Sequence, residues 1–277
     1  MPELDLEEVL RDLPRPSFKQ RLKERLMDPQ TVTPYITAIP VDDLADFVKE
    51  TFGAEELVRA TGSAGGTHYS LRIGDSMLMM GGGAALSHPP MPTMLHMYVP
   101  HVDDAHRRAV AAGCKELKPP RDQEYGDRDS VVEDLAGNQW CLATSHGPHY
   151  RPERMRTVTA YLHPFGVRDL IEFMRQALGI SVIEEYAAPD GTIAHAKVQL
   201  GNTIIEMGEA HAEWTPMPTM MHVNVADSDA AYERAIAAGA KSIMPPADQR
   251  YGPRMSAVED PTGNQWYFAG PSRKIEQ

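Results

Sequence analysis

Three ionisable side chains of this 277-residue chain stand among apolar neighbours, where they could move protons or hold a ligand. Glu206 lies in the segment TIIEM, and His96 and His222 lie in MLHMY and MMHVN. A carboxylate buried without a partner is costly, and a pKa raised by burial, or a nearby histidine, would make Glu206 a general base. The alternative for Glu206 is a salt bridge at a strand end. Each histidine is either a ligand or catalytic group, or a satisfied core or pocket residue.

Two further pairs of residues occupy matching places in the chain. His68 and His195 share one strand position, which fits a common structural hydrogen bond as well as a pocket role. Arg128 and Arg254 each follow a Tyr-Gly-x sequence, and their guanidinium groups could bind an anionic group of a ligand. The alternative for each arginine is an internal ion pair with the aspartate that lies six residues further on.

These matching places belong to an internal repeat with a spacing of 126 residues. Three separated blocks recur, namely MPTMLHMYV at 91–99 and MPTMMHVNV at 217–225, DQEYGDR at 122–128 and DQRYGPR at 248–254, and EDLAGNQW at 133–140 and EDPTGNQW at 259–266. A period of this length is typical of a domain duplication and not of a solenoid. We therefore predict a first domain at 31–147, a linker at 148–156 and a second domain at 157–271.

Within each copy the hydrophobic pattern alternates between strand and helix. Apolar residues at helical spacing over 44–52 end at Gly53, which is typical of a helix closed by glycine. Alternating residues over 68–73 and a second apolar run over 77–80 flank a Gly-Asp turn and indicate a hairpin. This order of elements recurs, so each copy is predicted to contain two βαβββ modules. The predicted fold class is α+β.

Residues 1–30 lie outside the repeat and are predicted to form an N-terminal helical extension. Asp5 with Glu8, and Ser17 with Gln20, have the spacing of capping boxes at the start of two short helices. The extension is either a strap packed on the body of the protein or on a partner subunit, or a regulatory or docking arm.

Charge and cysteine usage narrow the class of partner and the compartment. The chain has 27 Lys and Arg against 39 Asp and Glu, a net charge of −12, which argues against nucleic acid because phosphate contacts require basic residues. Cys114 and Cys141 have no cysteine at the equivalent places of the second copy, so no disulfide framework is predicted. Neither a secretory signal nor an apolar run of about 18 residues is recognisable. We predict a cytoplasmic protein without a membrane partner.

Three sequence blocks resemble the vicinal oxygen chelate superfamily of glyoxalases, bleomycin-resistance proteins and extradiol dioxygenases. They are HAKVQLGNTIIEMGEA from His195, AAGAK from Ala237 and DQRYGPRMSAVEDPTGNQW from Asp248. More narrowly, they resemble the PhnB-like, glyoxalase-like group in a tandem two-domain form. The resemblance implies two tandem glyoxalase-like domains with curved, mostly antiparallel sheets. It does not fix the chemistry, because this fold hosts several reactions and also ligand binding without reaction.

In metal-using members of this superfamily, four strand positions converge and hold a divalent ion with His and Glu. The resemblance places these positions at Thr33, Met79, His96 and Cys141 in the first copy and at Thr159, Glu206, His222 and Tyr267 in the second. Neither copy alone supplies three ligands. Some members pair modules across the two domains, and that exchange would bring together Glu206, His96 and Cys141, which could hold a zinc-like ion. The mirror site could not hold one.

We predict that the protein binds a small organic ligand in a cleft of the curved sheet without a tightly held metal ion. The predicted ligand-pocket residues are His68, His96, Arg128, Cys141, His195, Glu206, His222, Arg254 and Tyr267. The alternative is a divalent-metal-dependent lyase, isomerase or dioxygenase of the glyoxalase type, with Glu206 as ligand or base. A third hypothesis is a scaffold that contacts a partner through residues 1–30. A cleft lined by methionines would adapt to a flat or bulky apolar ligand. Monomer and homodimer both stay open.

Overall fold

Four βαβββ modules follow one another along the chain, which confirms the predicted α+β class. The structure, a computed structural model, describes residues 30–62, 65–86, 89–211, 214–249 and 252–273. The helical extension predicted for residues 1–30 falls outside these ranges except for Gln30. Within them, no helix is long and apolar enough to cross a membrane.

Each module consists of one strand, one helix and three further strands. The first module has β1 (Val32–Thr37), α1 (Val41–Phe52), β2 (Glu55–Thr61), β3 (Thr67–Ile73) and β4 (Ser76–Gly81). The second has β5 (Met94–Tyr98), α2 (Val102–Ala111), β6 (Lys115–Asp122), β7 (Asp127–Glu133) and β8 (Gln139–Ser145). The third has β9 (Val158–Leu162), α3 (Val167–Leu178), β10 (Ser181–Ala187), β11 (Ile193–Leu200) and β12 (Thr203–Met207). The fourth has β13 (Met220–Asn224), α4 (Ser228–Ala237), β14 (Lys241–Asp248), β15 (Arg254–Glu259) and β16 (Gln265–Gly270).

The helices form because apolar side chains recur along one side of each. In α1, Val41, Leu44, Ala45 and Val48 are buried, whereas the charged residues of the first and last turns face outward. Gly53 follows the helix with a φ of 70°, a left-handed conformation that glycine adopts without steric cost. The predicted helix end is therefore confirmed.

Two eight-stranded sheets each combine strands from both copies of the repeat. The first sheet has the order β14-β15-β16-β13-β1-β4-β3-β2, and the second has the order β10-β11-β12-β9-β5-β8-β7-β6. β1 pairs antiparallel with β13, and β5 pairs antiparallel with β9. The first module of each copy thus meets the second module of the other copy. Pairing between the copies, which the sequence left open, is the arrangement present.

The hydrophobic cores follow the copies, although the sheets do not. One core contains apolar side chains of the first and second modules, among them Leu44 of α1 and Trp140 of β8. The other contains mainly side chains of the third and fourth modules, among them Leu170 of α3 and Trp266 of β16. Because strand residues alternate between two faces, each sheet turns half of its side chains toward these helices and the other half toward an open face.

Candidate functional site

Module exchange places Glu206, His96 and Cys141 at the centre of the second sheet. His96 on β5 lies opposite Thr159 of β9 on one side and opposite Cys141 of β8 on the other. Glu206 on β12 lies opposite Tyr161, two residues along β9 from Thr159, so these side chains share the open face of the sheet.

We call this open face of the second sheet the charged cleft. It is lined by side chains from all eight strands, which are Glu184, His195, Lys197, Glu206, Thr159, Tyr161, His96, Tyr98, Cys141, Asp127, Asp129 and Lys118. Most of them can carry a charge or make hydrogen bonds.

Glu206 is a buried carboxylate with a complete set of cationic and polar neighbours. Its side chain is 1% exposed, and its Oε2 lies 2.6 Å from His96 Nδ1. Its Oε1 lies 3.5 Å from His195 Nε2 and 3.9 Å from Lys197 Nζ. Burial by itself would raise the pKa of Glu206, but the two histidines hold that pKa well below its usual value.

This charge state changes what Glu206 can do. The expected net rise of the pKa of Glu206 is wrong, because its neighbours outweigh burial, whereas the expected nearby histidine is present. A carboxylate with a lowered pKa is a weak base. Glu206 is therefore better suited to orienting His96 and keeping it protonated than to abstracting a proton from a ligand.

Glu206 favours the imidazolium form of His96. Burial opposes its charged form, but the charge and the hydrogen bond of Glu206 raise the pKa of His96 above its usual value. In this form both ring nitrogens are donors, and Nδ1–H donates to Glu206. The other nitrogen, Nε2, is buried and has no hydrogen-bond partner among the described residues, and the same is true of Thr159 Oγ1 on the neighbouring strand.

Further charged groups flank this centre on both sides. Lys197 Nζ lies 2.7 Å from Glu184 Oε1, which closes a chain of alternating charges on β10, β11 and β12. On the other side, the hydroxyl of Tyr98 donates to Asp127 over 2.9 Å. Burial, with the nearby carboxylates of Asp129 and Glu206, raises the pKa of Cys141 well above its usual value, so its thiol stays protonated.

The residues at the centre of the charged cleft do not fit a divalent ion. Thr159 stands at one of the four converging positions, and its hydroxyl is not one of the Cys, His, Asp or Glu groups that usually bind such an ion. His96 and Glu206 are bound to each other, and the Lys197 ammonium near Glu206 competes with a metal for the same carboxylate. The described residues contain no group of three or more His, Cys, Asp or Glu side chains that could hold a metal ion.

The open face of the first sheet has the same plan with other side chains, and we call it the methionine cleft. Its methionines come from four strands and are Met77, Met79, Met220, Met244 and Met255. At its centre His222 lies opposite Thr33 and Tyr267, as His96 lies opposite Thr159 and Cys141 in the other sheet. Burial, with the proximity of His68, lowers the pKa of His222 to about 4.

The structure therefore divides the predicted pocket residues between two clefts. His96, Cys141, His195 and Glu206 meet in the charged cleft, and the remaining cleft residues of the prediction line the methionine cleft, namely His68, His222 and Tyr267. His68 Nδ1 is 3.1 Å from the hydroxyl of Tyr35, whereas His195 approaches a carboxylate. The same strand position thus has a different partner in each cleft.

Arg128 and Arg254 lie on the helix-bearing side of the sheets, which corrects their predicted place in a pocket. Arg128 donates two hydrogen bonds of 2.8 Å to Asp103 in the first turn of α2. Arg254 binds Asp229 in the first turn of α4 in the same way. These carboxylates, and not the open faces of the sheets, orient the two guanidinium groups.

The predicted aspartate partners of the two arginines are also wrong. Asp134 accepts hydrogen bonds from the Trp140 indole N–H over 2.9 Å and from the backbone of its own turn. Asp260 makes the same contacts with Trp266 and its turn. Both carboxylates are fully used in holding turns.

The sequence interpretation missed Lys197 and Glu184 as parts of the site, and it gave Thr159 a position there but no role. Lys197 stands two residues after His195 in a strand, so the alternation of side chains could have placed both on one face. Glu184 lies on the outermost strand, none of whose residues is fully buried. A cavity of about 310 Å³ is lined among others by Arg108 and Tyr150, and Tyr98 of the charged cleft also borders it. None of the predicted pocket residues borders it.

Comparison with known proteins places this architecture in a family. The model of the Glyoxalase/Bleomycin resistance protein/Dioxygenase superfamily matches residues 35–142 and 166–268. An uncharacterised protein of Mycobacterium bovis is 28% identical over 116 residues, which are 38% of this chain and 76% of that protein. An uncharacterised protein of Mycobacterium tuberculosis is also 28% identical over 116 residues, which cover 38% of this chain and 68% of that protein.

Two solved structures share the fold at low sequence identity. Glyoxalase I from Zea mays is 14% identical, with a TM-score of 0.66 over 89% of this chain and 95% of that chain. A putative dioxygenase from Bacillus subtilis is 11% identical, with a TM-score of 0.57 over 86% of this chain and 84% of that chain. At these identities the likeness establishes the fold alone.

Proposed function

We propose that this chain, which belongs to the Glyoxalase/Bleomycin resistance protein/Dioxygenase superfamily, binds a small organic ligand in the charged cleft without a tightly held metal ion. The observation that carries the proposal is the pair of buried polar atoms, His96 Nε2 and Thr159 Oγ1, that have no partner among the described residues. Buried polar groups in native proteins are rarely left without a hydrogen bond. A ligand atom between these two neighbouring strands would satisfy both.

The charge state of His96 defines the chemistry of that ligand atom. Because Glu206 keeps His96 protonated, Nε2 carries a hydrogen and is a donor. Thr159 can donate from its hydroxyl as well. The complementary group is therefore an oxygen acceptor, a carbonyl or a carboxylate, and the carboxylate gains more because a charged donor makes the stronger hydrogen bond.

The other charges of the cleft set the limits on ligand charge. Glu184 and Glu206 are offset by Lys197 and the protonated His96 at the centre of the cleft. Asp127 and Asp129 lie at its side, where Tyr98 and Gln123 donate hydrogen bonds to them. An ammonium group has no acceptor to offer to His96 Nε2, and it would be repelled by the imidazolium. We thus expect carboxylates and carbonyl compounds to bind and amines to be rejected.

Calorimetric titration of the full chain with benzoate, acetophenone and benzylamine tests this order. We expect benzoate to bind more tightly than acetophenone, and benzylamine not to bind. In protein labelled with ¹⁵N-histidine, benzoate should shift the Nε2 resonance of His96 and leave that of His222 in place. Benzylamine binding in preference to benzoate would contradict the proposal.

Two threonine variants provide a matched pair for the same titration. Thr159→Val removes the hydroxyl with little change of shape. Benzoate binding should weaken about fivefold, because one hydrogen bond contributes about 1 kcal/mol to the binding free energy. Thr33→Val makes the same change at the equivalent position of the first sheet and should leave the affinity for benzoate unchanged. Equal effects of both variants would show that the probe does not sit at Thr159.

Metal binding is tested by equilibrium dialysis of the full chain against Zn²⁺, Ni²⁺, Mn²⁺ and Fe²⁺ in turn. We expect no tightly held ion, because Lys197 and His96 already compensate Glu206. One ion per chain that is bound tightly and lost in Glu206→Gln would replace this proposal by the metal-dependent lyase, isomerase or dioxygenase considered from the sequence.

A further inference from the structure

We infer that the methionine cleft is a second ligand site, specific for an uncharged aromatic molecule that carries a hydroxyl group. This site is distinct from the charged cleft, and its occupant belongs to a different chemical class. The inference starts from the pairing registers, which allow the two open faces to be compared position by position.

Apolar or neutral side chains replace the charged ones at the centre of the face, and the ion pair of Arg72 with Glu55 stands at its edge. Met79 lies opposite Ser70, as Glu206 lies opposite Lys197 in the other sheet. Val58 lies opposite Ser70, at the position that Glu184 has beside Lys197. The central chain of alternating charges is therefore absent from the first sheet at these positions.

The outer strands of the methionine cleft show the same replacement. Met244 lies opposite Ala257, at the position that Lys118 has opposite Val131. Met255 lies at the position of Asp129, because each pairs with an alanine of the next strand. Five equivalent positions thus change from ionisable to uncharged, and no single substitution accounts for the difference.

Several of these methionines are only partly covered by the protein. Met77, Met79 and Met244 keep part of their surface accessible, although their strands lie in a sheet whose other face is a packed core. Thioether side chains are flexible and polarisable, and they adapt to flat aromatic surfaces. The rings of Tyr35 and Tyr267 stand on the same face and add aromatic walls.

His222 supplies the polar requirement of the site. Its low pKa keeps it neutral, and its buried Nδ1 has no hydrogen-bond partner among the described residues. A neutral imidazole nitrogen is a donor or an acceptor, depending on the tautomer. A hydroxyl group on the ligand can both donate and accept, so it satisfies His222 in either form. Arg72 lies at the end of this face, opposite Met77, but it is exposed and paired with Glu55. A carboxylate at His222 would therefore have no free cation beside it and would be poorly bound.

Binding of 2-naphthol to the full chain labelled with [methyl-¹³C]methionine tests the inference by NMR. We expect saturable shifts of the methyl resonances of Met77, Met79 and Met244. The resonances of Met97 and Met174, which are buried on the helix-bearing side, should not move. The charged analogue 2-naphthoate should bind these methionines at least about tenfold more weakly, since its carboxylate must be desolvated.

Variants of the cleft distinguish specific binding from general stickiness. Met79→Gln and Met244→Gln should each weaken 2-naphthol binding by about tenfold, and Met79→Leu should largely keep it. Val110→Gln changes an exposed apolar residue on α2 and serves as the control that should not alter the affinity. Melting curves of each variant establish that it is folded.

Three outcomes would overturn the inference. The first is that the methyl resonances of the cleft do not respond to 2-naphthol. The second is that the resonances of Met97 and Met174 respond as strongly as those of the cleft. The third is that the cleft resonances change with protein concentration in the absence of ligand, which would show that a second copy of the chain covers this face. None of these results depends on benzoate binding in the charged cleft, so the two proposals fail separately.

Discussion

The charged cleft and the methionine cleft share one arrangement of strands and differ in what their central side chains require. Glu206 and Met79 occupy equivalent positions on β12 and β4. Glu206 is buried and is accompanied by His96, His195 and Lys197, whereas Met79 needs no charged partner. A buried carboxylate is stable only with compensating groups, so these charges occur as a set. The comparison indicates that the buried carboxylate and its charged neighbours are present or absent together.

The two central histidines show the same dependence. His96 and His222 have equivalent places, and both are largely removed from water. Burial disfavours the charged form of each, but only His96 has a carboxylate next to it. The pKa of His96 is raised in consequence, whereas that of His222 is lowered. The same residue is thus a cation in one cleft and a neutral ring in the other.

The largest effect is expected when the charged cleft receives the central residue of the other. Glu206→Met leaves His96, His195 and Lys197 without their carboxylate, and the loss of one member of a buried ion pair costs about 3–5 kcal/mol. We expect this fall in the free energy of unfolding, measured by urea denaturation at pH 6. The conservative change Met79→Leu in the other cleft should cost less than about 1.5 kcal/mol.

The pH dependence of the Glu206→Met effect provides the second half of that test. Because the pKa of Glu206 is lowered on folding, Glu206 stabilises the folded protein fully at pH values above 4.5, its usual pKa. Because the pKa of His96 is raised on folding, His96 stabilises the folded protein fully at pH values below 6.5, its usual pKa. The cost of the variant should therefore be greatest between these pH values. It should shrink as the pH rises through the pKa of His96 in the folded protein. A cost that grows with pH would contradict the assigned charge on His96.

A smaller effect of opposite sign is expected from His222 in the methionine cleft. Its pKa of about 4 lies below the usual 6.5, so the unfolded chain binds the proton more readily than the folded one. The stabilisation is complete above pH 6.5 and is lost as the pH falls toward 4, by up to about 3 kcal/mol. In His222→Phe this contribution is removed, and unfolding free energies at pH 7 and pH 4.5 should differ less than in the parent. An unchanged difference would show that His222 does not titrate in this way.

Much of the fold could be predicted from the sequence because the same order of strand and helix patterns occurs in both copies of the repeat. Helix α1 has a clear apolar spacing and a terminal glycine, and both are read from local sequence. The outer strands are less visible. All residues of β2 are exposed, so no burial pattern marks it, and β6 runs from Lys115 to Asp122 through two prolines that only an edge strand tolerates.

The candidate site was predictable only in part. The resemblance supplied the four converging positions, and the exchange that joins Glu206 to His96 could be stated as one of two pairings. The choice between them depends on contacts such as that between β5 and β9, whose residues are far apart in sequence and carry no local signal. The role of Thr159 was also invisible, because it follows from the environment of its hydroxyl and not from its residue type.

The smallest effects are expected from the two arginines, which separate the fold from the clefts. Arg254→Ala and Arg128→Ala each remove an ion pair with the first turn of a helix, and both should lower the melting temperature slightly. The decrease in melting temperature should be larger for Arg254→Ala than for Arg128→Ala. The side chain of Arg254 is 17% exposed and that of Arg128 is 30% exposed, and water screens the more exposed ion pair more strongly. Neither variant should change the affinity for benzoate or 2-naphthol by more than about twofold, because both guanidinium groups lie on the helix-bearing side of their sheets. If Arg128→Ala abolished benzoate binding while the melting temperature stayed the same, Arg128 would have to reach the charged cleft, and the division between the two sides of the sheet drawn from its contact with Asp103 would fail.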